Sequence, residues 1–238
     1  FFKEQVKIGQ LLEKFDSLIT LYQRKYEKLV SIKKSLLSKM FPNNGEIVPK
    51  IRFKGFANAW ERRKLGEMAI NLKYGLPATT KEYDGINKFL RITEIDVNTR
   101  LFKSNQLTSP NYNLNNADEY LLDYGDVLFA STGNGSVGRT YIHKNIGDKV
   151  YYTGNLLRVK FLKNYNPEFI FQNTLTDQYK NMIEITSQRS AQRAVNSKEY
   201  SNYVIDVPSQ SEQNSISNLL ETFDSLITLH QRKYKLLI

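Results

Sequence analysis

EQVKIGQLLEKFDSLITLYQRKYEKLV (residues 4–30) returns at the other end of the chain as EQNSISNLLETFDSLITLHQRKYKLLI (212–238). The two copies align without a gap at a constant offset of 208, and 18 of their 27 positions are identical. Such a match marks a duplicated structural element on either side of one intervening domain. Within copy one, Ile8, Leu12, Phe15, Ile19, Tyr22, Tyr26 and Leu29 alternate steps of four and three. Ile216, Leu220, Phe223, Ile227, His230, Tyr234 and Leu237 repeat the pattern in copy two. This alternation predicts the interface of a coiled coil or long helix pair.

Leu11, Leu18 and Leu21, with Leu219, Leu226 and Leu229, widen the stripe, so each helix is expected to bury a broad face. Ser209, following Pro208 and three residues before Glu212, reads as a capping-box start for the second helix. The first helix continues through IKKSLLSKM to Met40 and stops before Phe41-Pro42-Asn43-Asn44-Gly45. Residues 4–40 would span about 55 Å as a helix. Two like helices with matching apolar faces most simply pack on each other. They are then antiparallel, because the domain between them must bring the chain back. The alternative, two ordinary core helices of one globule, needs no near-identical sequence.

The region between is different in kind. KFLRITEIDV (88–97), DVLFAS (126–131), TYIHK (140–144), NLLRVKFL (155–162) and NYVIDVP (202–208) read as strands from their β-branched and aromatic content. Residues 168–186 carry a helical pattern through Phe169, Ile170, Leu175, Tyr179, Met182 and Ile183. The predicted fold class is therefore α+β. One mixed α/β globular domain (41–208) is flanked by two long helices (1–40 and 209–238) that form an antiparallel coiled coil.

With 238 residues, 40% of them hydrophobic and 12% aromatic, the chain can build a packed core and is too apolar for disorder. It has no cysteine, which excludes disulfides, thiolate zinc sites and a cysteine nucleophile, and fits a reducing, cytoplasmic setting. No apolar run approaches the roughly 18 residues of a membrane span. FFKEQVKIGQ at the start lacks the apolar core and cleavage site of a signal peptide. It also lacks an initiating methionine, as in a fragment.

The net charge is +10, from 34 basic and 24 acidic residues, which favours a polyanionic partner. In the middle domain, basic side chains sit with polar ones in four candidate loops. These are Lys73 with Tyr74; Arg91 with Thr93; Ser131, Thr132, Asn134, Ser136 and Arg139; and Gln188, Arg189, Ser190, Gln192 and Arg193. Arginine among Ser, Asn and Gln is the set that grips phosphate and reads base edges. Taken singly, each reads as well as a solvated loop residue; as a set they point to DNA.

Chemistry is sparse. Gly133-x-Gly135-x-x-Gly138 matches a dinucleotide fingerprint, but Arg139-Thr140-Tyr141-Ile142 reads as a strand where a helix is needed. A glycine-rich turn between strands suits it better. His143 and His230 are the only histidines and form no zinc cluster or nucleophile–base pair. No carboxylate stands two residues before a lysine, as metal nucleases of the D…[DE]-x-K kind require, and no Asn/Asp-Pro-Pro-aromatic run is present. The carboxylate-rich stretch Asp118, Glu119, Asp123 and Asp126 has no cation or histidine beside it in sequence. No catalytic residue and no metal ligand is assigned.

Pro49-Lys-Ile-Arg52-Phe53-x-Gly55-Phe56, then Trp60-Glu61-Arg-Arg63-Lys64-Leu65-Gly66-Glu67, follow the first helix. Pro208-Ser-Gln-Ser-Glu212-Gln213, with Leu219-Leu220, Phe223-Asp224 and Leu226-Ile227, open the second. These edges, and the helix–domain–sister helix order over nearly the whole chain, resemble one half of the specificity (S) subunit of type I restriction-modification systems. The resemblance implies a non-catalytic target-recognition domain that reads one half of a bipartite double-stranded DNA target. It implies conserved helices that act as a ruler and dock methyltransferase (M) and restriction (R) subunits. S-adenosylmethionine, ATP and Mg are then expected on those partners, with no cofactor in this chain. Half-sites one turn apart are about 34–36 Å centre to centre, a span a stiff helix pair can set. The departure is that only one such domain is present and copy two lacks a counterpart to 32–40. The chain is then either an excerpt of a longer subunit or a half-subunit that forms a homodimer. The alternative is a structural adaptor that binds no DNA and recruits a partner through its coiled coil.

Overall fold

The computed structural model describes residues 1–43, 45–103, 107–133, 135–188 and 193–237. Helix α1 (Phe2–Met40) runs unbroken for 39 residues. It ends where Phe41 turns extended (φ −112°, ψ 142°), the conformation a following proline imposes. At the far end of the chain, α6 (Gln210–Lys235) runs for 26 residues. The two pack antiparallel, as expected. The Tyr22 and His230 rings lie 5.9 Å apart, and Lys33 pairs with Asp224, so numbers rise along one helix as they fall along the other.

This pairing splits the predicted interface. Ile19, Tyr22, Tyr26 and Leu29 are half-buried against α6, whose Ile216 and Leu220 are buried and whose Phe223, Ile227, His230, Tyr234 and Leu237 are half-buried. Ile8, Leu12 and Phe15 lie outside it, at 52%, 58% and 43% exposure. The reason is register: with Tyr22 opposite His230, the first turns of α1 project past the end of α6. The other end of α1 turns inward. Leu37, Met40 and Phe41 join Trp60, Phe169, Ile216 and Leu220 in one hydrophobic cluster with the middle domain. Phe41, Trp60 and Phe169 meet there ring against ring, at 5.2–6.2 Å between centroids.

The expected capping box at Ser209 does not form. Ser209 makes no side-chain cap. Glu212 instead receives Arg52 in a two-pronged ion pair, Nε to Oε1 at 2.6 Å and Nη2 to Oε2 at 2.7 Å. A charged, half-buried guanidinium competes for that carboxylate better than a neutral backbone N–H.

The middle domain is built on a four-stranded antiparallel sheet in the order β2-β9-β6-β7. Its strands are β2 (Ala69–Tyr74), β6 (Val127–Ala130), β7 (Thr140–Ile142) and β9 (Leu156–Phe161). Three two-stranded pairs surround it: β1 (Glu61–Lys64) with β10 (Val204–Val207), β3 (Thr79–Glu82) with β5 (Thr108–Asn111), and β4 (Asn87–Leu90) with β8 (Lys149–Tyr152), the last parallel. Strands at 126–131, 140–144, 155–162 and 202–208 were legible in sequence because they bury β-branched and aromatic side chains. β1, with the sequence ERRK, has all four residues exposed and carries no such signal. Backbone pairing to β10 and the Arg62–Asp206 ion pair at 3.2 Å hold it. The segment expected as one strand at 88–97 is β4 followed by a 3-10 turn, Ile92–Glu94. The helical pattern at 168–186 divides into α3 (Pro167–Asn173) and α4 (Asp177–Ser187), because Thr176 caps the N-terminus of the second by accepting from Tyr179 N. Two short helices, α2 (Leu65–Met68) and α5 (Ser197–Ser201), complete the domain.

Candidate nucleic-acid interface

Sheet register brings the candidate loops together. Tyr74 pairs with Leu157, Ala130 with Leu156, and Phe129 with Thr140, so β2 and β6 end where β9 and β7 begin. The turn after β6 therefore emerges beside Tyr74. Thr132 bridges to Ala194, and Val195 N donates to Ser131 O at 2.8 Å, which brings in the chain after 193. Ser197 N donates to the Tyr74 hydroxyl at 2.9 Å. Arg139 Nη1 donates to Ile92 O at 3.1 Å and Ile95 O at 3.2 Å, which ties in the 91–95 turn. Segments up to 123 residues apart thus meet at one end of one sheet.

Glycines permit the close approach. Gly138 has φ +78°, and a Cβ there would lie 2.6 Å from Ile183 Cγ2. A Cβ on Gly75 would strike the carbonyl oxygens of Tyr152 and Thr153. The G-x-G-x-x-G stretch is the connection of the β6–β7 antiparallel pair, a turn between strands as expected.

Individual residues differ in what they can offer. Tyr74, Thr93, Gln188 and Arg193 are exposed. Thr132, Ser136 and Arg139 are half-buried. Lys73 is bound to Glu119 and lies over the Tyr120 ring at 4.5 Å. Arg91 is held by Glu94 Oε1, at 2.8 Å from Nε and 2.6 Å from Nη2. Ser131 is a correction. It is buried, and its hydroxyl donates to Asn155 O at 2.8 Å, so it braces the turn and does not face a ligand. Asn134, Arg189, Ser190 and Gln192 lie outside the described residues.

The carboxylate-rich stretch finds cations across the sheet. Glu119 pairs with Lys73, Asp123 with Lys160, and Asp126 approaches Arg158 at 3.9 Å. Adjacent strands, not adjacent residues, supply the charge. Burial pushes Asp126 up to about 6 despite Lys160 and Arg158. His143 is buried, its Nδ1 3.0 Å from the Tyr141 hydroxyl, and burial pushes its pKa down, as for a neutral core histidine. His230 packs tilted against the Tyr22 ring in the helix pair. Among the described residues, no three His, Asp or Glu side chains are placed to hold a metal ion. No helix there is long and apolar enough to cross a membrane.

A cleft of about 320 Å³ opens beside the β6–β7 turn, between it, α4 and the 97–100 turn. Arg100, Arg139, Lys180 and Arg193 line it, with Glu184 as the one carboxylate among the described residues. Sequence reasoning missed Arg100, because 88–97 read as a strand. The signal was Asp96-x-Asn98-Thr99, an Asx-turn sequence.

Residues 58–237 match the family model for the type I restriction modification DNA specificity domain. No curated protein matches the chain. Among solved structures, one from a study of complex assembly and conformational transition of the type I R-M system has a TM-score of 0.60 at 15% identity. It covers 99% of this chain and 55% of its own. The HsdS subunit from Thermoanaerobacter tengcongensis has a TM-score of 0.59 at 16% identity, covering 96% of this chain and 51% of its own. The type I restriction-modification S subunit from M. genitalium gives 0.57 at 13%, covering 99% and 56%. The chain spans about half the length of these structures, and at such identities the likeness is one of fold.

Proposed function

Since the chain belongs to the family of type I restriction modification DNA specificity domains, we propose that it reads one half of a bipartite duplex target without performing chemistry itself. One observation carries this reading: the basic and polar segments at 73–74, 91–93 and 131–139, far apart in sequence, converge with the chain that follows Arg193 at one end of the β2-β9-β6-β7 sheet. Tyr74, Thr93, Gln188 and Arg193 are the exposed members of the set, and Thr132, Ser136 and Arg139 are half-buried. In this reading Lys73 and Arg91 exchange an internal carboxylate for a phosphate on binding. The net charge of +10 supplies salt-dependent affinity, and a few side chains in the groove supply sequence choice, each worth about 1–3 kcal/mol.

The helix pair docks the methyltransferase and restriction subunits, which carry S-adenosylmethionine, ATP and Mg. The apolar side chains that α1 exposes beyond the end of α6 support a docking role. Exchanging residues 50–208 for those of a relative, in a host supplied with the partner subunits, tests the reading by mapping methylated adenines. A changed methylation site is expected. An unchanged site would overturn it and favour a structural adaptor.

A further inference from the structure

Among the described residues, Arg100 is the non-glycine residue with a left-handed backbone, at φ 59°. Such strain persists where the surroundings impose it, and it concentrates at ligand sites. Here Asp96 imposes it. Its carbonyl accepts from Arg100 N at 3.0 Å, and its Oδ1 accepts from Asn98 N, Thr99 N and Thr99 Oγ1 at 3.0, 2.8 and 3.0 Å. The resulting turn sets the Arg100 guanidinium in the wall of the cleft described above, with Arg139.

Arg100, Arg139, Arg193 and Lys180 line the cleft against the Glu184 carboxylate, and such an excess of positive charge is unfavourable unless a further anion offsets it. Among the described residues, no carboxylate or carbonyl accepts from the Arg100 guanidinium. Burial and then the Arg139 charge push the Arg100 pKa down, and the Asp96 charge offsets them only in part. Lys180 on the same wall is engaged by Asp177 at 2.8 Å. Arg139 is rigid, because Ile92, Ile95 and Gly135 carbonyls hold it, and a guanidinium has donors beyond those three bonds. Arg100 also lines the groove against Tyr26 and Val30 of α1 and Ile227 of α6. A ligand gripped there is registered against the helix pair itself.

We propose that this cleft is an oxyanion site for one backbone phosphate of the duplex, with Arg100 as its principal ligand and Arg139 as the second. The inference rests on the DNA-reading function above and adds a residue and a ligand class to it. Arg100 positions the duplex and carries no base specificity.

The test measures binding of the full chain to a labelled 30-base-pair duplex of mixed sequence, by anisotropy, between about 50 and 200 mM NaCl. Arg100→Gly and Arg100→Asn remove the charge and suit the left-handed backbone, Arg100→Lys keeps the charge, and Lys3→Gln at the tip of α1 is a charge-matched control. Both charge-removing variants should melt no lower than wild type. They should bind about tenfold more weakly, with a salt slope shallower by about 0.9. Arg100→Lys should recover most of the slope, and Lys3→Gln should change nothing. If Arg100→Gly or Arg100→Asn keeps the wild-type slope and affinity, the phosphate site is wrong while DNA reading stands. If wild type shows no salt-dependent duplex binding, the DNA reading falls and this inference with it.

Discussion

Replacing Glu212 with Gln tests what locks the second long helix onto the chain. The carboxylate is 1% exposed and receives both prongs of Arg52, whose side chain is 13% exposed. Arg52 has one further partner, Asn58 O at 2.6 Å. Glutamine keeps the shape and one acceptor but removes the charge, which leaves a guanidinium in a nearly dry site. Removing one partner of a buried pair costs about 3–5 kcal/mol. Because Arg52 keeps Asn58 and some solvent, about 3 kcal/mol is expected. Trp60, the single tryptophan, is buried between Phe41 and Phe169 in the core that α6 helps to close, so its fluorescence reports unfolding. With a urea slope of about 3 kcal/mol per M, the midpoint should fall by about 1 M. Ser209→Ala should cost under about 0.5 kcal/mol, since Ser209 makes no cap bond. Removing both partners, as Arg52→Met with Glu212→Leu, should recover much of the loss, because neither charge is then stranded. If Glu212→Gln is neutral, or if Ser209→Ala costs as much, the carboxylate is a helix cap after all and the ion-pair argument is refuted.

Three other outcomes follow from the same packing. Leu220→Ala should cost about 2–5 kcal/mol, while Leu12→Ala, its counterpart in the repeat, should stay within about 0.5 kcal/mol in chemical denaturation of the monomer; equal losses would contradict the register. Asp126, raised to about 6 from an unfolded value near 3.9, holds its proton more tightly when folded. Ionising it between pH 4 and 7 therefore costs stability, by about 3 kcal/mol. The stability of Asp126→Asn relative to wild type should rise with pH across that window and then level off, and a flat difference in urea titrations would count against the raised pKa. Gly138→Ala should lower the melting temperature by several degrees, through the left-handed backbone and the contact with Ile183; an unchanged transition would show that the turn relaxes freely.

The long helices were readable because their signal is local. A 4-3 apolar alternation and a duplicated segment need no knowledge of the rest of the chain. The register between them was not. Nothing in the spacing of Ile8, Leu12 and Phe15 separates them from Ile19 and Tyr22, yet only the latter face α6, because the middle domain fixes where the returning helix starts. Strands with buried β-branched residues were legible, and the exposed β1 was not. Glu212 shows the same divide: Ser-x-x-Glu is a cap by local rule, and it took a distant Arg52 to redirect it.

For the candidate site, residue types singled out four segments and could not rank their members. Ser131 and Arg139 sit in one loop, but a carbonyl of the 153–155 turn takes the Ser131 hydroxyl and three carbonyls hold Arg139. Arg100 carried only the signal of a turn, Asp96-x-Asn98-Thr99, and none of a ligand, since its setting arises where that turn meets Arg139 in space. What the sequence determined alone was the paired helices, their sense, the single domain between them and its cationic character, because repeat, periodicity and charge are properties of neighbouring residues. What the tertiary structure decided was which apolar residues pair, which charges are already spent and which remain for a ligand, because burial and hydrogen bonding depend on partners that only folding brings within reach.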